Sequence, residues 1–276
     1  MSRLFTHNGC KAIEFNGMVD HVEFLESNNG SRHHHLKAMA REGDFFGCDN
    51  YEELITKMKY GDSKATASLL DKLKSSQVYS DIDNGVKMDI DGFAYDMGSV
   101  VSGEPECCLS SGSPQAKPYI KIFVDQGYSG HTDVDVINNR SVGIVNLVTS
   151  LQTMGYVVEL VVGNYERGTK IYGFTKLSTD SLCVSQIAVA TSPYYWRCGS
   201  WMTTMMLGKT TDTGHSLMDY SDIEAMEKEG WFYIGGGYTD SKMNSLSTGD
   251  DGTEYITELF NKYCSTRGLK KEICMV

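Results

Sequence analysis

The strongest pattern of hydrophobic and polar positions lies between residues 119 and 162. Tyr119-Ile-Lys-Ile-Phe-Val-Asp125 is a β-rich run ending on an acid, and Tyr156-Val-Val-Glu-Leu-Val-Val162 is the continuous apolar run of a strand buried on both faces. Between them apolar residues recur at 137, 144, 147, 148, 151 and 154, a helical stripe stopped by Gly155 as C-cap. Strand, helix and strand in that order predict a β-α-β unit with parallel strands and a right-handed crossover. Thr169 to Leu177 alternates in strand fashion after a short turn, which predicts an antiparallel neighbour of the second strand at the edge of the sheet. Leu182 to Ala190, Tyr194 to Leu207, Asp222 to Lys228 and Thr253 to Cys264 read as helices, and Trp231-Phe-Tyr-Ile234 as a further strand. The alternation predicts an α/β fold built on a mainly parallel, doubly wound sheet.

The first third carries three helical signals. They are Val19 to Ser27, Tyr51 to Tyr60 behind an Asn50 N-cap with Glu53 in capping-box position, and Ser63 to Ser75. Ser80 to Ser113 is rich in Asp, Gly and Ser and reads as loop with one strand around Phe93. Ser110 to Pro118 has the composition of a linker. These boundaries predict a mostly helical N-terminal module over residues 1–113 and an α/β domain over residues 114–276.

Composition narrows the partners. With 41% apolar and 11% aromatic residues the chain can bury a core, while its most apolar run, Tyr156 to Gly163, is of strand length, well short of the roughly 20 residues that cross a bilayer. The polar start, Met1-Ser-Arg-Leu-Phe-Thr-His, has no apolar leader pattern, so a cytoplasmic setting is expected. Eight cysteines without a Cys-x-x-Cys spacing fit reduced thiols. The formal charge is −11, with no basic cluster longer than Lys270-Lys271, which argues against direct nucleic-acid binding because that affinity rests on Lys and Arg at phosphates. A basic protein partner fits the charge, including inhibition of a host nucleic-acid-binding or defence protein by acidic mimicry.

In open α/β sheets ligands gather beyond the carboxyl ends of the strands. After the first strand that region is Asp125-Gln-Gly-Tyr-Ser-Gly-His-Thr-Asp-Val-Asp135. Gly127 and Gly130 permit close approach, but Asp133 and Asp135 stand where a phosphate would sit and no Lys is present, so a cation or neutral ligand suits the loop better.

From Tyr119 to Cys264 the chain resembles the von Willebrand factor A-type fold, on a strand ending in Asp, a Ser-containing loop, a long helix, a buried strand and an antiparallel edge strand. That family's Asp-x-Ser-x-Ser motif reads Asp125-Gln-Gly-Tyr-Ser129 here, with Gly127 in place of the first Ser. The resemblance implies a divalent cation such as Mg²⁺ held by Asp125 and Ser129, with Thr179 or Asp180 and Asp240 supplying later oxygens. The whole chain is also similar to an uncharacterised family encoded by bacteriophages and some actinobacteria, on Tyr95-Asp-Met-Gly-Ser-Val-Val-Ser-Gly-Glu-Pro-Glu106, Ile120 to Asp125 and Met154-Gly-Tyr-Val-Val-Glu-Leu160. That similarity implies a viral protein acting in the host cytoplasm.

Other chemistry is less well supported. His33, His34 and His35 are adjacent and point about 100° apart on a helix, which suits no single ion. His215, Ser216 and Asp219 lack a nucleophile elbow. Acid pairs at Asp81 and Asp83, Asp89 and Asp91, and Asp133 and Asp135 are the basis for an alternative, a metal-dependent phosphoesterase or nuclease. Trp196, Trp201, Met202, Met205 and Met206 form a stripe that packs a core or, if exposed, meets a protein. The favoured expectation is a non-enzymatic binding or assembly protein. It presents Asp125, Ser129, Tyr128, His131, Asp133 and Asp135 to a protein partner.

Overall fold

The segment of strongest periodicity forms the centre of the sheet. Strand β6 (Tyr119–Asp125), helix α4 (Val134–Thr153) and strand β7 (Val157–Glu166) make the expected unit, with β6 and β7 parallel from Tyr119 opposite Val157 to Asp125 opposite Gly163. This is a computed structural model, and it describes residues 2–7, 9–28, 47–75, 86–89, 94–95, 108–111, 119–128, 131–166, 170–177, 184–208, 220–236 and 241–267. Strand β9 (Trp231–Ile234) lies parallel to β6 on its other side, and β8 (Ile171–Leu177) runs antiparallel to β7.

Strand β8 is not at the edge. Strand β2 (Cys10–Phe15) pairs with it in parallel, and β1 (Arg3–His7) closes that side antiparallel to β2, so the order is β1-β2-β8-β7-β6-β9. The physical reason is the burial of β8 on both faces: Ile171, Tyr172, Phe174 and Leu177 are all shielded, which an edge strand with an open flank would not achieve. Hairpin β1–β2 turns at Gly9, whose φ of 75° lies in the left-handed region that glycine adopts without penalty. The result is an α/β fold on a mixed, mainly parallel six-stranded sheet.

Elements from both sides of residue 113 pack together. Met18 and Val22 of α1 (Met18–Ser27) and Leu54 and Met58 of α2 (Tyr51–Tyr60) share one core with Ile122, Leu160 and Phe232 of the sheet. Helix α2 starts as the sequence indicates: Asn50 Oδ1 accepts from the Glu53 amide at 2.8 Å, and the Glu53 carboxylate accepts from the Asp49 amide at 2.8 Å. Helix α3 (Ser63–Ser75) follows, and the turn-rich region contains a small sheet of β3 (Val86–Asp89), β4 (Ala94–Tyr95) and β5 (Cys108–Ser111) in the order β3-β5-β4.

Helix cover is unequal on the two faces of the large sheet. One face packs Ile120, Ile122, Val124, Val158, Leu160 and Val162 against α1, α2, α4, α5 (Val184–Ala190), α6 (Trp201–Gly208) and α8 (Gly249–Arg267). The other displays Phe123, Val161, Tyr172 and Phe174, and among the described residues it meets Ile223 and Met226 of α7 (Tyr220–Lys228). Helices α4 and α8 cross closely because Gly252 is bare there; a Cβ on it would lie 1.9 Å from the Asn139 carbonyl oxygen. The stretch read as one helix from Tyr194 begins instead as a π-helix, Tyr195–Ser200, before α6.

Candidate functional site

The carboxyl ends of β6 and β9 meet the first turns of α4, and the polar groups there are buried. Asp125 ends β6 with 1% of its surface exposed. One of its carboxylate oxygens accepts from the Gly127 amide at 2.8 Å and the other from the Tyr233 hydroxyl at 2.6 Å, with the Gly236 amide adding a further bond. Burial pushes the Asp125 carboxyl above its ordinary range, against the pull of those donors and of the Arg140 guanidinium. Gly127 and Gly236 stack backbone to backbone, since a Cβ on Gly236 would meet the Gly127 carbonyl oxygen at 2.3 Å.

Arg140 is the hub. It sits on α4 within the apolar stripe, fully buried, and one of its terminal nitrogens donates to the carbonyl oxygens of Asp125 at 3.0 Å, Ile234 at 3.0 Å and Gly235 at 2.7 Å. Its other terminal nitrogen donates to the Tyr128 hydroxyl. One guanidinium therefore ties the ends of two parallel strands through their last carbonyls. The Tyr128 ring meets Trp196 edge-on at 5.1 Å, and the neighbouring Arg197, buried on the π-helix, donates to the Thr132 carbonyl at 2.6 Å. The Gln126 amide nitrogen donates to the Ala190 carbonyl. Gln126 Oε1, Thr132 Oγ1 and Arg140 Nε are buried without a hydrogen-bond partner among the described residues.

Above this buried layer lies an exposed one. His131, Asp133 and Asp135 face solvent at the start of α4, where Asp133 is the N-cap residue and makes no side-chain capping bond. The acids sit at the positive end of a 20-residue helix dipole, a favourable place for negative charge. The loop thus has charge on its surface and fixed backbone beneath it, anchored through the Thr132 carbonyl.

The structure divides the expected site residues into three groups. His131, Asp133 and Asp135 are exposed and adjacent. Tyr128 is 1% exposed and Asp125 is engaged on both carboxylate oxygens, so both side chains turn inward; aromatic and guanidinium packing draws the first in, and strand-end donors hold the second. Ser129, Thr179 and Asp240 lie outside the described residues, as do Asp180 and the three consecutive histidines. Strand β8, which precedes Thr179, ends at Leu177 opposite Leu160, and Leu160 pairs with Ile122, so β8 runs away from Asp125. Among the described residues no group of three or more His, Cys, Asp or Glu is placed to hold a metal. The residues that organise the site, Arg140, Arg197 and Tyr233, were not singled out by the sequence reading. The available signal was an arginine interrupting the stripe between Ile137 and Ile144.

No helix among the described residues is long and apolar enough to cross a membrane. Compared with curated proteins and with solved structures, the chain shows no match. A family model does match, over residues 10–265, and that span takes in every large-sheet strand but β1 as well as the whole strand-end layer. The chain belongs to the family described as domain of unknown function DUF7192.

Proposed function

We propose that this chain is a non-enzymatic binding protein whose contact surface is the exposed loop of His131, Asp133 and Asp135 at the carboxyl ends of β6 and β9. The observation that carries the reading is the two-layer build of the site: exposed acids above, and two buried arginines fixing the backbone below. A preorganised loop loses little freedom on binding, so more of the contact energy appears as affinity. The chemistry of the loop and the net charge of −11 favour a protein partner with a basic surface, the class that includes nucleic-acid-binding proteins.

The order β8-β7-β6-β9 with β8 antiparallel supports a von Willebrand A-like reading of this half of the sheet. Gly127 in the motif and the engaged carboxylate of Asp125 favour a direct protein contact over one bridged by a divalent ion at that aspartate. A bacteriophage protein of this kind would meet its partner in the host cytoplasm.

The test is affinity capture with cross-linking, comparing the wild-type chain with Asp133→Asn/Asp135→Asn, a pair of changes at exposed positions, with the thermal transition read for both. The expected result is a basic protein cross-linked to residues 131–135 and lost from the double variant. Undiminished recovery, with cross-links elsewhere on the surface, would remove this loop from consideration.

A further inference from the structure

Two thiols distant in sequence face each other inside the protein. Cys48 Sγ, in the turn before α2, lies 3.9 Å from Cys198 Sγ on the π-helix, and both residues are buried. The backbone on each side is held in place. Lys57 Nζ donates to the Gly47 carbonyl at 3.1 Å, and a Cβ on Gly199 would meet the Met58 sulfur at 3.3 Å. Disulfide sulfurs sit about 2.0 Å apart, so a shift of about 2 Å, shared between two side-chain rotations, brings the pair to bonding distance.

We propose that Cys48 and Cys198 form an oxidisable pair that closes to an intramolecular disulfide on exposure to a low-molecular-weight disulfide. One thiolate attacks the reagent, forming a mixed disulfide and expelling the first reagent thiol. The second thiolate then attacks the protein sulfur of that bond and expels the second. Two protein thiols become one disulfide, the reagent is reduced to two thiols, and the two thiol protons leave with them. Burial and the adjacent Cys48 hold the Cys198 thiol well above its usual range, so closure quickens as pH rises.

The cross-link would join the N-terminal turn to the π-helix. Arg197, next to Cys198, holds the Thr132 carbonyl, so closure would also fix the anchor of the acidic loop; this consequence rests on the proposed binding role, whereas the cross-link does not.

The full chain, fully reduced, is incubated with oxidised glutathione at about pH 8.5 and mapped by non-reducing peptide mass spectrometry. The expected product is a Cys48–Cys198 linked peptide, with an intact mass lower by two hydrogens and a thermal midpoint raised by roughly 5 °C. Cys48→Ser should carry a glutathione adduct at most and show no such rise. Because the peptide map reads the wild-type chain, it stands even if the variant fails to fold. Glutathione adducts on Cys48 and Cys198 without a link, or no linked peptide once Cys10 is fully modified, would overturn the proposal.

Discussion

The two faces of the large sheet use different chemistry. The helix-covered face is aliphatic, with Ile122, Val124, Leu160 and Val162 at 1% exposure or less. The other is aromatic, and its tyrosines hold acids. Tyr119 donates to Glu159, Tyr172 to Asp222 and Tyr233 to Asp125. Aliphatic side chains contribute through area removed from water and tolerate exchange for similar shapes. A tyrosine that satisfies a carboxylate fixes one geometry, because the same position without its hydroxyl leaves an acid unmatched. The first face accounts for cohesion. The second reaches the strand ends, where Tyr233 passes that geometry to Asp125 and so to the layer beneath the acidic loop.

The largest expected effect joins both faces. Arg140→Met keeps the volume and removes four hydrogen bonds at the ends of β6 and β9, so unfolding by denaturant should show a loss of about 3–5 kcal/mol, the range for breaking buried charged networks. A loss under 1 kcal/mol would mean the strand-end carbonyls find other donors. Leu160→Ala, on the aliphatic face, should cost about 2–5 kcal/mol through transfer and cavity together, and Leu160→Met much less.

On the aromatic face, Tyr172→Phe removes one oxygen and leaves Asp222 buried without that donor, at an expected cost of about 1–3 kcal/mol. The fold should otherwise persist, with His7 Nε2 at 4.0 Å as the nearby cation when protonated. If Tyr172→Phe costs as little as Leu160→Met, the contrast between shape-tolerant and geometry-fixing faces fails.

A pH titration sharpens the contrast further. His21 is buried under the aliphatic face, stacked on Phe15 at 4.1 Å and hydrogen-bonded to the Tyr195 and Thr203 hydroxyls, and burial lowers its pKa to about 3. The unfolded chain, with an ordinary imidazole near 6.5, binds a proton that the folded chain refuses. Stability should therefore be level above about pH 6.5 and fall on acidification toward pH 3 by about 1.4 kcal/mol per pH unit. Asp125, raised in the folded state, acts in the opposite sense, gaining stability as pH falls through its folded value. The difference between wild type and His21→Gln isolates the histidine, and identical acid profiles would show that His21 is not the group responsible.

The sequence made some of this legible and hid the rest for identifiable reasons. The β6-α4-β7 unit, the antiparallel β8 and β9 were readable because long apolar runs and a helical stripe from Ile137 to Met154 are local signals. Strands β1 and β2 were not, because runs of five and six residues carry little periodicity and β2 finds its partner β8 across most of the chain. The loop after β6 was readable as polar and acidic, and His131, Asp133 and Asp135 lie exposed on it. The inward turn of Asp125 and Tyr128 was not, because a polar residue after an apolar run looks the same whether solvent or buried donors from other elements satisfy it. Arg140 was hidden for a related reason: a polar position inside a helical stripe reads as the solvent side until the ends of β6 and β9 are known to lie over it.

The most direct test alters the buried layer and leaves the exposed one untouched. Arg197→Lys keeps the charge and all three loop side chains but shortens the reach to the Thr132 carbonyl. Its recovery of the captured partner, measured beside wild type and with the thermal transition as a control for folding, should fall at least tenfold. Full recovery by a folded Arg197→Lys protein would contradict the claim that buried arginines position the loop for binding.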